Sequence, residues 1–142
     1  MSSMAGLKTK GDTAELMVAA DLAKRGYRIA FPYGEDTNWD LILERPDGRL
    51  ERVQVKYAES CDGVIALRCR SHSLTNGRVR QTKRYTAAMI EWLAVYDRAT
   101  DRCYYVPAAE LGAGRALLHL RLGPARNGQH RRINWARDYL EI

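Results

Sequence analysis

Asp40-Leu41-Ile42-Leu43-Glu44, then Pro46-Asp47-Gly48, then Arg52-Val53-Gln54-Val55-Lys56: these three stretches decide how the chain is read. An apolar run, a Pro-Asp-Gly turn signal and an alternating run predict a β-hairpin, with Asp40 to Glu44 returning through Arg49 to Ala58. Side chains two apart on a strand share a face, so Gln54 and Lys56 point together while Val53 and Val55 point the other way. An amide and an ammonium therefore lie side by side on the wet face of a valine-rich strand. The hairpin sets that strand against the one that Asp40 opens.

Working outward, Asp12 to Arg25 has helical periodicity and ends at Gly26, the usual C′ position. On a helical wheel Glu15 falls among Val18, Ala19 and Leu22, inside the apolar arc, so it faces the body of the protein. Asp12-Thr13-Ala14-Glu15 also spells a capping box, which would spend Glu15 on the Asp12 N–H. Both roles stay open on this segment alone. Tyr27 to Phe31 is predicted as a first strand and Gly63 to Arg70 as another. Ser71 to Arg84, with Asn76-Gly77 inside it, is predicted as a long basic loop of the kind that often serves function. Beyond it come a short helix over Tyr85 to Glu91 and a strand over Leu93 to Tyr96. A strand over Cys103 to Val106, a helical turn at Pro107 to Leu111, a strand over Leu117 to Leu122 and a last helix over Ile133 to Tyr139 follow. The pattern is α/β, a central sheet with helices around it.

Length (142 residues), apolar content (46%) and charged content (28%) fit one globular domain over 1–142, with a flexible stretch at 1–7. Net charge is +6 and unevenly placed. No acidic residue lies between Asp62 and Glu91, or between Glu110 and Asp138, whereas each interval holds six basic ones. Clustered arginine suits phosphate, because its planar fork pairs bidentately. A polyanionic partner is expected. Cys61, Cys69 and Cys103 form no CxxC pair and are odd in number, as for free thiols in a reducing cytoplasm. No stretch approaches the length of a membrane helix and the N-terminus lacks a signal-peptide core, so a cytoplasmic location with no membrane partner is expected. There is no GxxxxGK[ST] loop, no GxSxG elbow and no zinc-ligand spacing among His72, His119 and His130. Tyr96, Tyr104, Tyr105 and Trp92 are expected in the core, and Tyr33, Tyr57 and Tyr85 near the proposed site.

Glu15, Asp40, Gln54 and Lys56 can meet at one point, and that set matches the needs of phosphodiester hydrolysis. The reaction requires a positioned water, relief of charge on the phosphate and support for the leaving oxygen. A hard cation such as Mg²⁺ supplies charge neutralisation and takes oxygen ligands, and an adjacent lysine can orient the water as its ammonium or deprotonate it as its neutral amine.

The chain resembles the PD-(D/E)XK nuclease superfamily, and within it the branch of group I intron homing endonucleases that carry Gln-x-Lys in place of Glu-x-Lys. The resemblance rests on Lys10-Gly11-Asp12-Thr13-Ala14-Glu15, Pro32-Tyr33-Gly34, Trp39-Asp40-Leu41 and Arg52-Val53-Gln54-Val55-Lys56. Tyr104-Tyr105-Val106-Pro107, Leu120-Arg121-Leu122, Asn127-Gly128-Gln129 and Ala136-Arg137-Asp138-Tyr139 extend it to most of the chain. It implies a restriction-endonuclease-like core with a mixed central sheet flanked by helices. It further implies an Mg²⁺-dependent endonuclease, Mn²⁺ substituting, acting on double-stranded DNA as a homodimer or homotetramer. By the same resemblance Glu15, Asp40, Gln54 and Lys56 are catalytic, and Asp40, Gln54, Glu15 and the Val55 carbonyl hold metal. Trp39 and Gln54 depart from the family pattern, and an amide at position 54 favours one tight ion over two. Arg70, Arg78, Arg80, Lys83 and Arg84 are the expected DNA-binding residues. Two alternatives remain at this point: a structure-specific nuclease of Holliday-junction-resolvase type, and a DNA-binding module without turnover.

Overall fold

The computed structural model describes residues 6–34, 36–75, 78–124 and 133–142, the side chains of 71–82 excepted. One α-helix, α1 (Leu7–Lys24), lies against a five-stranded sheet of β1 (Arg28–Ala30), β2 (Leu41–Glu44), β3 (Leu50–Ala58), β7 (Trp92–Asp97) and β8 (Arg102–Pro107), in that spatial order. The remaining strands form two-stranded pairs, β4 (Val64–Arg68) with β9 (Leu117–Arg121) and β5 (Arg70–Thr75) with β6 (Arg78–Arg84). Single 3-10 turns at Ala108–Leu111 and Ala136–Tyr139 complete the described elements.

The predicted hairpin forms, with Gly48 at φ 90° in its turn, a left-handed conformation that suits glycine. Its pairing is short. β2 accompanies β3 only from Leu50 to Val53, and from Val53 to Ala58 β3 is paired with β7, in parallel. The sheet is thus mixed, and β3 changes neighbours at Val53. β7 is buried from Leu93 to Asp97, as a central strand covered on both faces must be. Alternation along β7 and β8 sorts the core into two layers. Ala94, Tyr96, Cys103 and Tyr105 join Val18, Leu22, Leu41, Leu43, Val53 and Val55 beneath α1. Leu93, Val95, Tyr104 and Val106 join Ile65, Leu67, Leu118 and Leu120 beneath β4 and β9. One flank of the sheet is therefore helical, and the other is built mostly from a small second sheet.

Five expectations are corrected. The helix starts at Leu7, capped by Gly6, so Asp12 lies well inside it and no capping box forms. Leu7, expected in a flexible stretch, is helical. Ser71 to Arg84 is no loop but most of an antiparallel ribbon, with Arg70 opposite Arg84; Asn76-Gly77 lies outside the described residues. Between Tyr85 and Glu91 the N–H groups of Met89 and Ile90 both turn back to the Thr86 carbonyl, at 3.0 and 3.2 Å, without making a helix. The last helix shrinks to one 3-10 turn at Ala136–Tyr139. Tyr96, Tyr104 and Tyr105 are buried as expected, and Trp92 packs partly buried beneath α1.

Candidate active site

Where β2 parts from β3, a peptide of a central strand loses its expected partner. The Asp40 N–H still donates to the Val53 carbonyl at 2.8 Å, but the next outward-facing peptide on that side of β3, at Val55, meets no strand. Asp40 fills half of the gap: its Oδ2 accepts the Val55 N–H at 2.8 Å. A strand residue projects its N–H and C=O to the same side, so the Val55 carbonyl opens into the same fork. Its one described contact is the Gln54 Nε2 at 3.5 Å, too long to satisfy it well.

Glu15 reaches this fork from α1. Freed from any cap, it shares a hydrogen bond with Asp40. Burial and the facing Asp40 carboxyl push the Glu15 pKa up to about 7, with a further contribution from Asp12. Both causes favour the protonated form of Glu15, since burial and a facing acid each disfavour its carboxylate.

Lys56 approaches from the other face. Its Nζ donates to the Arg70 carbonyl at 3.3 Å and stands 5.2 Å from the centre of the Tyr85 ring. Burial holds its pKa below the ordinary lysine value, opposed by the attraction of Asp40 and Cys69 and assisted by Arg68. Tyr85 lies near the site as expected, but at 4% exposure its ring is the floor under Lys56. Tyr57 and Tyr33 remain accessible, the latter fully.

The fork thus brings together Glu15, Asp40, the Val55 peptide and Gln54, with Lys56 close enough to feel Asp40. Among the described residues no three His, Cys, Asp or Glu side chains gather to hold a metal. The two carboxyl groups and the Val55 carbonyl nevertheless offer oxygen donors of the kind a hard cation takes, and the Gln54 amide would join them by turning its Oε1 toward the fork. The basic residues divide. Arg70 lines a groove of about 540 Å³ over Lys56 together with Lys10, Tyr57 and Arg68. Lys83 leans away, donating to the Asn38 Oδ1 at 3.1 Å, and Arg84 is exposed, 3.4 Å from the Gly114 carbonyl. The side chains of Arg78 and Arg80 lie outside the described residues. Lys10 and Arg68 were not among the residues expected to bind DNA, yet both line this groove. Lys10 was hidden because the helix was begun too late, and Arg68 because nothing in a strand's pattern reveals which groove it borders.

A helix, a mixed sheet and a carboxylate fork define the restriction-endonuclease-like class. Among protein families, the chain matches PD-(D/E)XK endonuclease over residues 6–142. It belongs to that family, a family of nucleases that generally use divalent metal ions. Among solved structures, a bacterial homing endonuclease superposes with a TM-score of 0.75 at 20% identity, covering 95% of this chain and 88% of that one. At that identity the likeness concerns the fold. No curated protein matches the sequence.

Proposed function

We propose that the protein is a Mg²⁺-dependent endonuclease that hydrolyses phosphodiester bonds in double-stranded DNA. The contact between Glu15 and Asp40 at the Val55 peptide, with Glu15 raised to about 7, is the observation that carries this reading. Glu15, Asp40, the Val55 carbonyl and the Gln54 amide oxygen would hold the ion, with Mn²⁺ as a substitute. When bound, the ion supplies charge neutralisation at the scissile phosphate and lowers the pKa of water.

The chain's own groups supply the rest. Lys56, partly desolvated on the Tyr85 ring, holds the attacking water and accepts its proton. The water oxygen bonds to phosphorus as the P–O3′ bond breaks, leaving a 5′-phosphate, and the departing oxygen takes up a proton. Asp40 keeps the Val55 peptide in place through the N–H bond, which fixes the carbonyl beside it. Arg70, Arg78, Arg80, Lys83 and Arg84 bind backbone phosphates, and cleavage of both strands calls for a homodimer or homotetramer. The residues act as one domain in the cytoplasm.

Incubation with supercoiled plasmid and Mg²⁺ tests the reading. Wild-type protein is expected to nick and linearise the plasmid, and Lys56→Ala to leave it supercoiled. Cutting by both alike, or by neither, overturns the assignment. Preferential, symmetric nicking of a four-way junction over linear duplex replaces duplex cleavage with resolvase chemistry.

A further inference from the structure

Two hollows outside β9 share Arg121. One, of about 140 Å³, is walled by Arg102, Arg121, Trp135 and Arg137. The other, of about 290 Å³, is walled by Arg115, His119, Arg121 and Asn134. Among the described residues, no carboxylate lines either. Arg137 lies over the Trp135 ring at 4.7 Å, a stacking that holds the guanidinium plane while its N–H edges stay available. The Arg121 side chain leans on the carbonyls of Gly123 and Pro124, at 3.3 and 3.5 Å.

The β4–β9 register links these hollows to the fork. Ile65, Leu67, Leu118 and Leu120 point into the core, so the alternate residues face outward. Arg68 is opposite Leu117, Ala66 opposite His119, and Val64 opposite Arg121. Arg68, His119 and Arg121 therefore descend diagonally across the outer face. Neighbours on such a diagonal or two apart on one strand stand roughly 7 Å from each other. At its upper end Arg68 lines the groove over Lys56, and its charge helps depress the Lys56 pKa. Arg115 is near enough to act on Cys69, which also feels Lys56. Basic side chains thus recur from the groove over Lys56 to the far hollow, with Leu117 and Ala66 between them.

We propose that the outer face of β4–β9 and its two arginine-lined hollows bind the backbone phosphates of duplex DNA running on beyond the candidate active site. This proposal rests on the nuclease reading and extends it to a surface that reading does not use. Guanidinium forks without competing carboxylates match phosphate oxygens geometrically. Four residues of strand separate the level of Arg68 from that of Arg121, about 13 Å, which spans the rise of about four nucleotides. A two-fold contact with a second copy through this face would set arginine against arginine, which opposes association.

Binding of a labelled 40-base-pair duplex, measured by anisotropy in Ca²⁺ at several salt concentrations, tests the surface. The triple variant Arg102→Ala/Arg121→Ala/Arg137→Ala is compared with wild type and with the triple lysine variant. Each lost phosphate contact is expected to reduce the salt slope by about 0.9, or about 2.7 for three, with the lysine variant restoring most of it. Circular dichroism verifies folding, and the lysine variant decides the outcome if the alanine variant unfolds. An unchanged slope in a folded variant overturns the proposal, as does a lysine variant as impaired as the alanine one. Loss of oligomerisation in light scattering with an unchanged slope assigns the face to a second copy instead. Should wild-type protein itself show no salt-dependent duplex binding, the nuclease reading has failed, and this proposal with it.

Discussion

Asp97 and the Glu15–Asp40 pair are acids treated in opposite ways by one fold. Asp97 ends β7 with no exposed surface, and its carboxylate collects four donors: the Ser60 N–H at 2.7 Å and hydroxyl at 2.8 Å, the Thr100 N–H at 3.1 Å and hydroxyl at 2.8 Å. It joins the end of β3 to the turn after β7, with three of the donors on Oδ2 and one on Oδ1. At the fork, Asp40 has the Val55 N–H, and its other described partner is a second acid. The first acid is supplied with donors by the protein itself; the second pair leaves two acids facing each other at the open edge of β3. Burial of acid is therefore no sign of a functional site by itself. The supply of donors distinguishes the two.

The sharpest way to break this comparison is at Lys56, proposed to act on the water at the fork. Lys56→Ala is expected to lower plasmid cleavage about 10²- to 10⁴-fold, with a melting temperature close to wild type. A large stability loss instead would make Lys56 a structural residue like Asp97. Next comes Asp97→Ala, which strands buried donors and should destabilise by about 3 kcal/mol, lowering the melting temperature by about 10 °C. A chemical denaturation series gives the value, and a neutral result would erase the contrast.

Glu15 separates the two acids by pH. Its folded pKa of about 7 exceeds the ordinary 4.5, so between these values the folded state binds more protons than the unfolded one. Stability contributed by the proton that Glu15 binds in the folded state is present below about 4.5 and lost as pH rises to 7. Melting temperature measured in chelator should fall across that window, Glu15→Gln should flatten the fall, and Mg²⁺ should offset it in wild type. Smallest is Gln54→Ala, expected to raise the Mg²⁺ needed for half-maximal cleavage roughly 10-fold. An unchanged metal requirement removes Gln54 from the ligand set.

Much of this was legible because it is written in alternation. Val53 and Val55 against Gln54 and Lys56 predicted two faces of a strand, and Pro46-Asp47-Gly48 predicted the return that sets Asp40 beside them. The family resemblance, read from scattered motifs, matches the family comparison and the fold. The β5–β6 ribbon was missed because its sequence lacks the apolar alternation that marks a half-buried strand, and its main partners are each other. The helix start was missed because Asp12-Thr13-Ala14-Glu15 imitates a cap convincingly, while the true cap, Gly6, makes no side-chain hydrogen bond. Asp97 could not be recognised from sequence at all, since its partners come from two separate turns.

The change of neighbours at Val53 bears on how mutants of this protein should be interpreted. Asp40 stands in for the strand that β3 has lost, so it is a piece of the sheet as well as of the fork. Removing its carboxylate would leave a main-chain N–H of a central strand unclaimed, and a drop in cleavage would mix lost chemistry with a loosened backbone. Asparagine, whose amide oxygen can still accept from Val55, is the substitution that keeps the two apart.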